Sequence, residues 1–257
     1  MKYYILLLFS MVLLFPLYAQ EGSSLNIATY NIRIGRGMDG VYDPFRIGAF
    51  LLDQDVDIAG IQEVDVNTRR NQGIDTPELL TMNGWYETRY AKTLDFQGGK
   101  YGIMMASRYP VLEYDAYDLP GADGEEPRKA QKMVVELPDR NLTLIHSHLT
   151  HLSQTGSRPL QIQTMLDLID VPENVILLGD LNAEPDDKEI DMIRNAGLFS
   201  VSEITGIKAS TFPSNNPVRE IDYIWISPDL KPYLKGASVY HRPFSDHLPL
   251  IAFFEFE

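Results

Sequence analysis

A short apolar run that ends in a glycine and two polar side chains most constrains the fold of this chain. Residues 175–178 are Val-Ile-Leu-Leu, a run short and β-branched enough to predict a buried strand. Gly179 ends the run, and Asp180 and Asn182 follow it. Because residues two apart on an extended backbone share a face, both side chains are predicted to project together. That pattern favours a loop-borne site on a rigid scaffold. A simple turn of Gly, Asp, Asn and Pro is the alternative interpretation.

Similar polar side chains stand at the ends of other apolar strands. Each has an ordinary explanation, such as a surface acid, an Asx turn, a packed histidine or a capping turn. Chance does not readily explain why acids, amides and histidines terminate so many buried strands, so we expect these residues to converge in the fold. They are Asn31, Glu63, His148, Asp180 with Asn182, Asp222, and the pair Asp246 and His247.

Predicted strands alternate with a few predicted helices, and two of the strands form a predicted hairpin around residues 138–141. This mixture predicts mixed sheets covered by helices rather than a pure parallel barrel. Helices are expected from an Asp43-Pro44 cap to residue 52, from a Thr76-Pro77 cap to a stop before Gly84, over residues 160–169, and from an Asp187 cap to residue 195. Strands are predicted at residues 25–32, 56–61, 101–106, 111–117, 132–137, 142–148, 175–178, 221–227 and 248–254.

The acidic composition disfavours long nucleic acid as a partner. The formal net charge is −14. Lys2 is the single charged residue of the predicted leader, so the chain without the leader carries about −15. Long nucleic acid is bound mainly through Lys and Arg, although a local basic patch can still bind phosphate. The chain has no cysteine, which excludes disulfides, a thiolate nucleophile and cysteine-ligated zinc. Small substrates, or substrates bound through a metal, are favoured.

The first residues have the pattern of a secretory leader. Lys2 precedes an apolar run over residues 3–17, and Tyr18-Ala19-Gln20 follows. This pattern predicts a signal peptide over residues 1–19, cleaved after Ala19, and therefore a secreted or periplasmic protein. An uncleaved membrane anchor is the alternative. Since no linker or repeat interrupts residues 20–257, we expect one domain there, monomeric and without a membrane span.

Seven short motifs follow one another along the chain: TYNIR at residues 29–33, IQEVD at 61–65, SRYP at 107–110, SHL at 147–149, GDLN at 179–182, IDYI at 221–224 and SDH at 245–247. In this order they resemble the endonuclease/exonuclease/phosphatase superfamily from Leu25 to the end of the chain. The combination is specific, whereas any single motif is not. The resemblance implies an α/β (α+β) four-layer αββα sandwich, with two mixed β-sheets face to face and outer helices. It also implies Mg²⁺- or Mn²⁺-dependent cleavage of phosphate esters.

The resemblance assigns metal and water roles to five residues. Glu63 would be the principal metal ligand, supported by Asn31 and assisted by Asp246. Oxygen ligands of this kind suit Mg²⁺. Asp180 would orient or deprotonate the attacking water, and Asn182 would hold that water or a phosphate oxygen.

The resemblance also assigns roles to two histidines. His247 would donate to the phosphate in the transition state, and Asp222 would fix the tautomer of His247 and raise its basicity, as carboxylates do in other hydrolases. His148 would reach the phosphate or the leaving group. Attack would be in line, with catalysis mostly by positioning and electrostatics.

The chain departs from parts of the family pattern. Arg33 stands where the abasic-site endonucleases carry an acid, so the sequence is more similar to secreted DNase-like and phosphodiesterase-like members. Glu220, preceded by Arg219, stands where many members carry a basic residue directly before the Ile-Asp-Tyr motif. Ile103 stands where relatives often carry Asn, which leaves Tyr101 as the candidate phosphate contact in that stretch.

Arginines supply the remaining candidates for substrate binding. Arg69 and Arg70 follow Glu63 by six and seven residues, and they are expected either to bind a second phosphate or acidic head group or to lie in a solvated loop. Arg33 is a further candidate.

The favoured hypothesis is a phosphodiesterase that acts on a small molecule or head group. A nuclease, a phosphomonoesterase and a non-catalytic binding protein on the same fold are the alternatives, because loops set specificity on such scaffolds.

Overall fold

The computed structural model describes residues 23–81 and 86–256, so the predicted leader lies outside the described part of the chain. Six strands form the first sheet, in the order β11-β12-β1-β2-β4-β3. Its two central strands, β1 and β2, run parallel, with Ile27 opposite Ile58, and the other neighbours are antiparallel. The strands are β1 Ser23–Asn31, β2 Ile58–Val66, β3 Glu87–Phe96, β4 Gly99–Ser107, β11 Leu234–Val239 and β12 Leu250–Phe256.

The second sheet repeats this plan, in the order β5-β6-β7-β8-β10-β9. Its central pair, β7 and β8, is also parallel, with Ser147 opposite Gly179, and its other neighbours are antiparallel. In both sheets, therefore, two parallel strands end side by side near the middle of one edge. The strands are β5 Val111–Leu119, β6 Arg128–Glu136, β7 Asn141–His148, β8 Val175–Asp180, β9 Phe199–Ser200 and β10 Asp222–Ile226.

The alternation of side chains along the strands builds four layers. Residues such as Ile27 and Leu178 pack between the two sheets, in a core to which both sheets contribute. The next residue on β1, Ala28, lies on the outer face of the first sheet with residues of α1 (Pro44–Asp53) and α2 (Thr76–Leu80). The outer face of the second sheet packs against α3 (Ser157–Asp167) and α4 (Lys188–Asn195). The predicted αββα sandwich is confirmed.

Two of the predicted helix caps were wrong in detail. Thr76 does not cap α2, because the carboxylate of Asp75 accepts the hydrogen bond from the Glu78 amide. Asp187 precedes α4 as predicted, but its carboxylate accepts from the Glu184 amide, so it closes the preceding turn instead of capping the helix. A short helix α5, Val201–Thr205, follows β9. Within the described ranges, no helix combines the length and apolar content needed to cross a bilayer.

The strand predictions were incomplete in two respects. The sequence analysis missed the two-residue edge strand β9, and it missed β3 and β11, two edge strands whose mixed polar and apolar residues show no clean alternation. It also ended the second strand at residue 61, whereas β2 continues to Val66. Glu63 therefore lies inside β2 and not at its end, at an irregularity in the pairing of β2 with β4 between Ile61 and Val64.

A chain of buried polar side chains crosses the core between the sheets. Gln62 on β2 donates through Nε2 to Thr29 Oγ1 (3.0 Å) and to His146 Nε2 (2.7 Å). His146 on β7 then donates through Nδ1 to Gln131 Oε1 (2.8 Å). Gly60 leaves room for the imidazole, since a Cβ there would lie 2.7 Å from His146 Cδ2. His146 is therefore held as a neutral imidazole with both nitrogens used.

Acid should destabilise the fold through His146. Burial lowers its pKa from 6.5 to about 3, so the folded state resists a proton that the unfolded chain accepts below pH 6.5. The contribution of the neutral His146 to the free energy of unfolding is complete above pH 6.5. It is lost as the pH falls towards 3, at up to about 1.4 kcal/mol per pH unit. Urea unfolding between pH 7 and pH 4 measures this slope.

The variant His146→Gln should show a shallower slope than the wild type, although its stability at pH 7 will be lower. The variant His241→Gln, which changes an exposed histidine, is the control and should keep the wild-type slope. Equal slopes for all three proteins would contradict the assignment.

Candidate active site

The ends of the central strands meet in one cleft of about 700 Å³. Asn31 ends β1, His148 ends β7 and Asp180 ends β8. The antiparallel neighbours contribute from their starts: Asp222 begins β10 directly opposite Asp180, and His247 precedes β12. The described residues that line the cleft are Asn31, Glu63, Arg70, Leu94, Phe96, Tyr101, Gly124, Glu125, Glu126, Pro127, Arg128, His148, His151, Asp180, Asn182, Phe212, Asp246 and His247.

Asp180 is the central acceptor of this cleft. Its Oδ2 receives a hydrogen bond from Asn31 Nδ2 at 3.0 Å and lies 3.5 Å from His148 Nε2 and 3.7 Å from His247 Nε2. Its Oδ1 accepts from the Asn182 amide at 3.0 Å. Burial, followed by the nearby charge of Asp222, raises the pKa of Asp180 to about 7, against the opposing effects of His247 and Asn31. A carboxylate with such a pKa can take a proton near neutrality.

His247 is held as a cation beside this carboxylate. Its Nδ1 donates to Asp222 Oδ2 at 2.9 Å, and the same oxygen accepts from Thr211 Oγ1. Although burial lowers the pKa of His247, the charges of Asp222 and Asp180 outweigh it and raise the pKa to about 10. The ring of Phe212 lies 4.8 Å from the imidazole and covers it. His247 therefore presents an Nε2–H to the cleft.

His148 differs from His247 in charge state. Burial, and then the charges of Arg128 and His247, hold the pKa of His148 well below its usual range, so the ring is neutral. Its Nδ1 is buried and has no hydrogen-bond partner among the described residues. The cleft thus places a neutral imidazole and a protonated one near the same oxygen of Asp180.

Glu63 enters the cleft through an unusual backbone conformation. Its φ is +58°, a region that non-glycine residues seldom occupy outside strained or functional positions. The irregularity in β2 turns its carboxylate towards Asn31, whose Nδ2 donates to Glu63 Oε1 at 3.2 Å. Burial, and then the charge of Asp246, raise the pKa of Glu63, against the hydrogen bond from Asn31. The charge of Asp246 therefore adds to the cost of ionising Glu63 at this buried position.

This donor set fits a hard divalent cation. Glu63 and Asp246 offer carboxylate oxygens, and a cation beside them would offset the burial and the Asp246 charge that raise the Glu63 pKa. The Asn31 carbonyl oxygen, which a ligand role would need, accepts from the Arg33 amide at 3.0 Å. Asn31 Nδ2 donates to the carboxylates of Glu63 and Asp180. In this arrangement the predicted support of the metal by Asn31 is therefore indirect, through these two carboxylates.

A second cluster of possible ligands is better explained by hydrogen bonding. Asp180, Asp222 and His247 place one ligand atom each within 4.8 Å of one another. The Nδ1 of His247 is, however, already bonded to Asp222, and Asp222 is fully buried. Three adjacent groups that share protons in this way need no metal to account for their geometry.

The loop that carries Asn182 is fixed from behind. Gly179 has a φ of +144°, and a Cβ there would lie 2.0 Å from the Ser147 carbonyl oxygen, so glycine is required. Asn182 adopts a φ of +50°, and its Nδ2 donates to the Leu149 carbonyl at 3.0 Å. The buried guanidinium of Arg158 on α3 donates to the Asn182 carbonyl.

Arg158 is itself held by a buried acid. Its Nε lies 3.6 Å from Glu189 Oε1 on α4, and both side chains are less than one-tenth exposed. The ion pair therefore joins the two outer helices of the second sheet to the loop that carries Asn182. The sequence analysis missed this pair, because a lone arginine and a lone glutamate on separate helices carry no local signal.

The four predicted substrate-binding residues lie in different settings. Tyr101 lines the cleft and is nearly buried. Arg33 contacts Asp246 Oδ2 at 3.4 Å beside the cleft. Arg70 lines the cleft, but its guanidinium bonds Asp65 through both Nε (2.6 Å) and Nη2 (2.8 Å) and packs on aromatic rings. Arg69 is exposed and is not among the described residues that line the cleft.

Arg128 was also missed by the sequence analysis. It begins β6, its side chain is only 5 % exposed, and it lines the cleft beside Tyr101 and His148. Its Nε is buried without a hydrogen-bond partner in the described structure. A buried guanidinium in a cleft with an unused donor suits an anionic ligand such as phosphate.

The model of the Endonuclease/Exonuclease/phosphatase family matches residues 28–247, most of the chain. This chain belongs to that family. Members of the family are hydrolytic phosphoesterases and nucleases that generally use divalent metals.

Three similar proteins have sequence identities to this chain of 27% or less. The uncharacterized protein YbhP of Escherichia coli K12 is 27% identical over 189 residues, which cover 68% of this chain and 71% of YbhP. A family structure from Beutenbergia cavernae superposes with a TM-score of 0.77 at 21% identity, covering 91% of this chain and 72% of that one. A mannosyl-6-phosphatase of Bacteroides thetaiotaomicron gives 0.72 at 20% identity, covering 89% of this chain and 98% of its own. The structural likenesses show the shared fold.

Arg158→Met should lower both stability and turnover. Loss of the guanidinium leaves the Glu189 carboxylate buried and unpaired, which costs about 3–5 kcal/mol, and it releases the Asn182 carbonyl. The double variant Arg158→Met/Glu189→Met removes both charges and should regain most of the stability. Its kcat for a phosphoester should nevertheless stay below that of the wild type.

Chemical denaturation and steady-state kinetics on the three proteins separate these effects. If the double variant recovers both stability and kcat, Arg158 supports the fold alone and does not position the loop.

Proposed function

We propose that this chain is a divalent-metal-dependent phosphoesterase that cleaves a phosphodiester of a small molecule or head group. The observation that carries the proposal is the setting of Asp180, a buried carboxylate of raised pKa between a protonated and a neutral imidazole. No structural task of the cleft needs this charge pattern, whereas attack of water on a phosphate does.

The residues around Asp180 have defined tasks in this proposal. Asp180 takes a proton from water, and the water oxygen attacks phosphorus in line. The ester P–O bond breaks, and the alkoxide leaves with its electron pair and takes up a proton from solvent. His247 donates from Nε2 to a phosphate oxygen on which negative charge accumulates, and Asp222 keeps His247 protonated. Asn182 orients the water or a phosphate oxygen, and its loop is fixed by Arg158.

Glu63 and Asp246 would hold Mg²⁺ or Mn²⁺, with Asn31 positioning Glu63. The cation would supply Lewis-acid polarisation of a phosphoryl oxygen when bound. His148 and Arg128 would contact the phosphate or the leaving group from the opposite side.

The predicted leader supports a secreted or periplasmic location for this activity. We also propose that the protein acts as a monomer.

A phosphomonoester is the second candidate substrate. The buried Arg128 would help to balance the additional charge of a monoester, and one protein of similar fold is a mannosyl-6-phosphatase. Nucleic acid is disfavoured, because the net charge is −14 and the cleft carries Glu125 and Glu126.

Metal dependence is tested by hydrolysis of bis(4-nitrophenyl) phosphate with Mg²⁺ or Mn²⁺. Chelation, or the change Glu63→Ala, should lower kcat/KM by about 100-fold or more, since a bound cation contributes several kcal/mol to the transition state. Glu113→Ala, at an exposed strand residue, is the matched control.

Calorimetric titration of Mn²⁺ gives a second readout, in which Glu63→Ala should weaken binding and Glu113→Ala should not. Activity that survives both chelation and Glu63→Ala would rule out the proposed mechanism. Plasmid nicking and 4-nitrophenyl phosphate hydrolysis test the nuclease and monoesterase alternatives.

The pH profile of kcat/KM should be bell-shaped. Asp180 acts ionised, so activity is lost as the pH falls through its pKa of about 7, or lower when a bound cation stabilises the anion. His247 acts protonated, so activity is lost as the pH rises through about 10. Asp222→Asn removes the charge that supports the His247 cation and should move the alkaline limb to lower pH. An unchanged alkaline limb in this variant would contradict the role given to the pair.

A further inference from the structure

Part of the cleft lies outside the residues that perform the chemistry, between two dissimilar walls. Leu94 and Phe96 are two apart on β3 and form an apolar wall. The segment between β5 and β6 faces the same space with two acids, Glu125 and Glu126. A group attached to the phosphate must enter this space, so the walls define what it can be.

The acidic wall presents one firmly held carboxylate. Glu126 Oε1 lies 3.2 Å from Arg128 Nη1, and Arg128 is buried whereas the Glu126 side chain is 41 % exposed. The buried Arg128 guanidinium therefore holds Glu126 Oε1 beside the cleft that both residues line. A carboxylate fixed in this way accepts hydrogen bonds from hydroxyl groups.

The apolar wall is rigid as well. The guanidinium of Arg70 lies 4.4 Å from the centre of the Phe96 ring, and two hydrogen bonds tie Arg70 to the buried Asp65. The ring is thus supported from one side by a fixed group. An aromatic ring held in this way offers a flat apolar surface for C–H groups.

We propose that the substrate carries one uncharged polyol ring on its phosphate, with hydroxyls on Glu126 and its C–H face on Phe96. This inference rests on the proposed phosphoesterase function and specifies its substrate class. A polynucleotide would bring its next phosphate beside Glu125 and Glu126, where like charges repel. A quaternary ammonium group would instead meet the guanidinium groups of Arg70 and Arg128. A cleft of about 700 Å³ suits a ligand of this size.

Diesters with one leaving group and different second groups test the proposal. The probes are 4-nitrophenyl phosphodiesters of glucose through O6, ethanol, choline and thymidine 5′-hydroxyl, assayed with the metal that supports activity. The glucose diester should have a kcat/KM at least about tenfold above the ethyl diester, as a hydrogen bond to a charged group allows. The choline and thymidine diesters should not share this advantage.

Variants assign the preference to the wall. Glu126→Gln keeps an oxygen for Arg128 but loses the charge, and it should reduce the ratio of glucose to ethyl kcat/KM by about tenfold, mainly through KM. Asp123→Asn removes an equal charge from an exposed position in the same segment, outside the residues that line the cleft, and should leave the ratio unchanged.

The outcomes distinguish this inference from the proposed function. Turnover without a glucose preference, or a preference that Glu126→Gln leaves intact, overturns the polyol assignment alone. If only monoesters are cleaved, glucose 6-phosphate and ethyl phosphate replace the diester pair, with the same expected ratio. Turnover of no ester removes the proposed function and this inference together.

Discussion

The hydrogen bond between Asn31 Nδ2 and Asp180 Oδ2 is the contact on which the cleft depends, because it joins one sheet to the other. Asn31 ends the central strand of the first sheet, and Asp180 ends the central strand of the second. The contact requires the two parallel pairs to end at the same level, and the apolar core and the Gln62–His146 bridge between the sheets set that level. The packing of the sandwich therefore determines the geometry of the site.

Burial of so many acids at one end of the sandwich has an electrostatic cost that the structure offsets unevenly. The Asp222 carboxylate accepts from His247 and Thr211, whereas Glu63 has a neutral amide and a neighbouring acid. Buried charges remain in folded proteins when they are paired or coordinate metals. A cation held by Glu63 and Asp246, as proposed above, would offset part of this cost.

The sequence allowed the convergence of these residues to be predicted, because apolar runs that end in acids, amides and histidines carry a local signal. It did not allow the conformation of Glu63 to be predicted, since a φ of +58° arises from the irregular pairing with β4. Arg128 and Arg158 were missed for a related reason. Each is an ordinary arginine in sequence, and only the packing of the layers buries it beside the cleft. The edge strands β3 and β11 are partly exposed, so they tolerate polar residues and lack a clean alternation.

Net charge is a poor guide to what such a cleft binds, because the local field decides. The chain is strongly acidic, yet His247 and Arg128 place two cations next to the position proposed for the phosphate. The acids that matter for selection are those on the wall, where Glu126 is held by the same arginine. In the proposed arrangement a single phosphate is therefore attracted by the two cations at the centre of the cleft. The next phosphate of a polymer would lie beside the acids of the wall and would be repelled. In the proposed function, the same arrangement would therefore favour one phosphate ester over a chain of them.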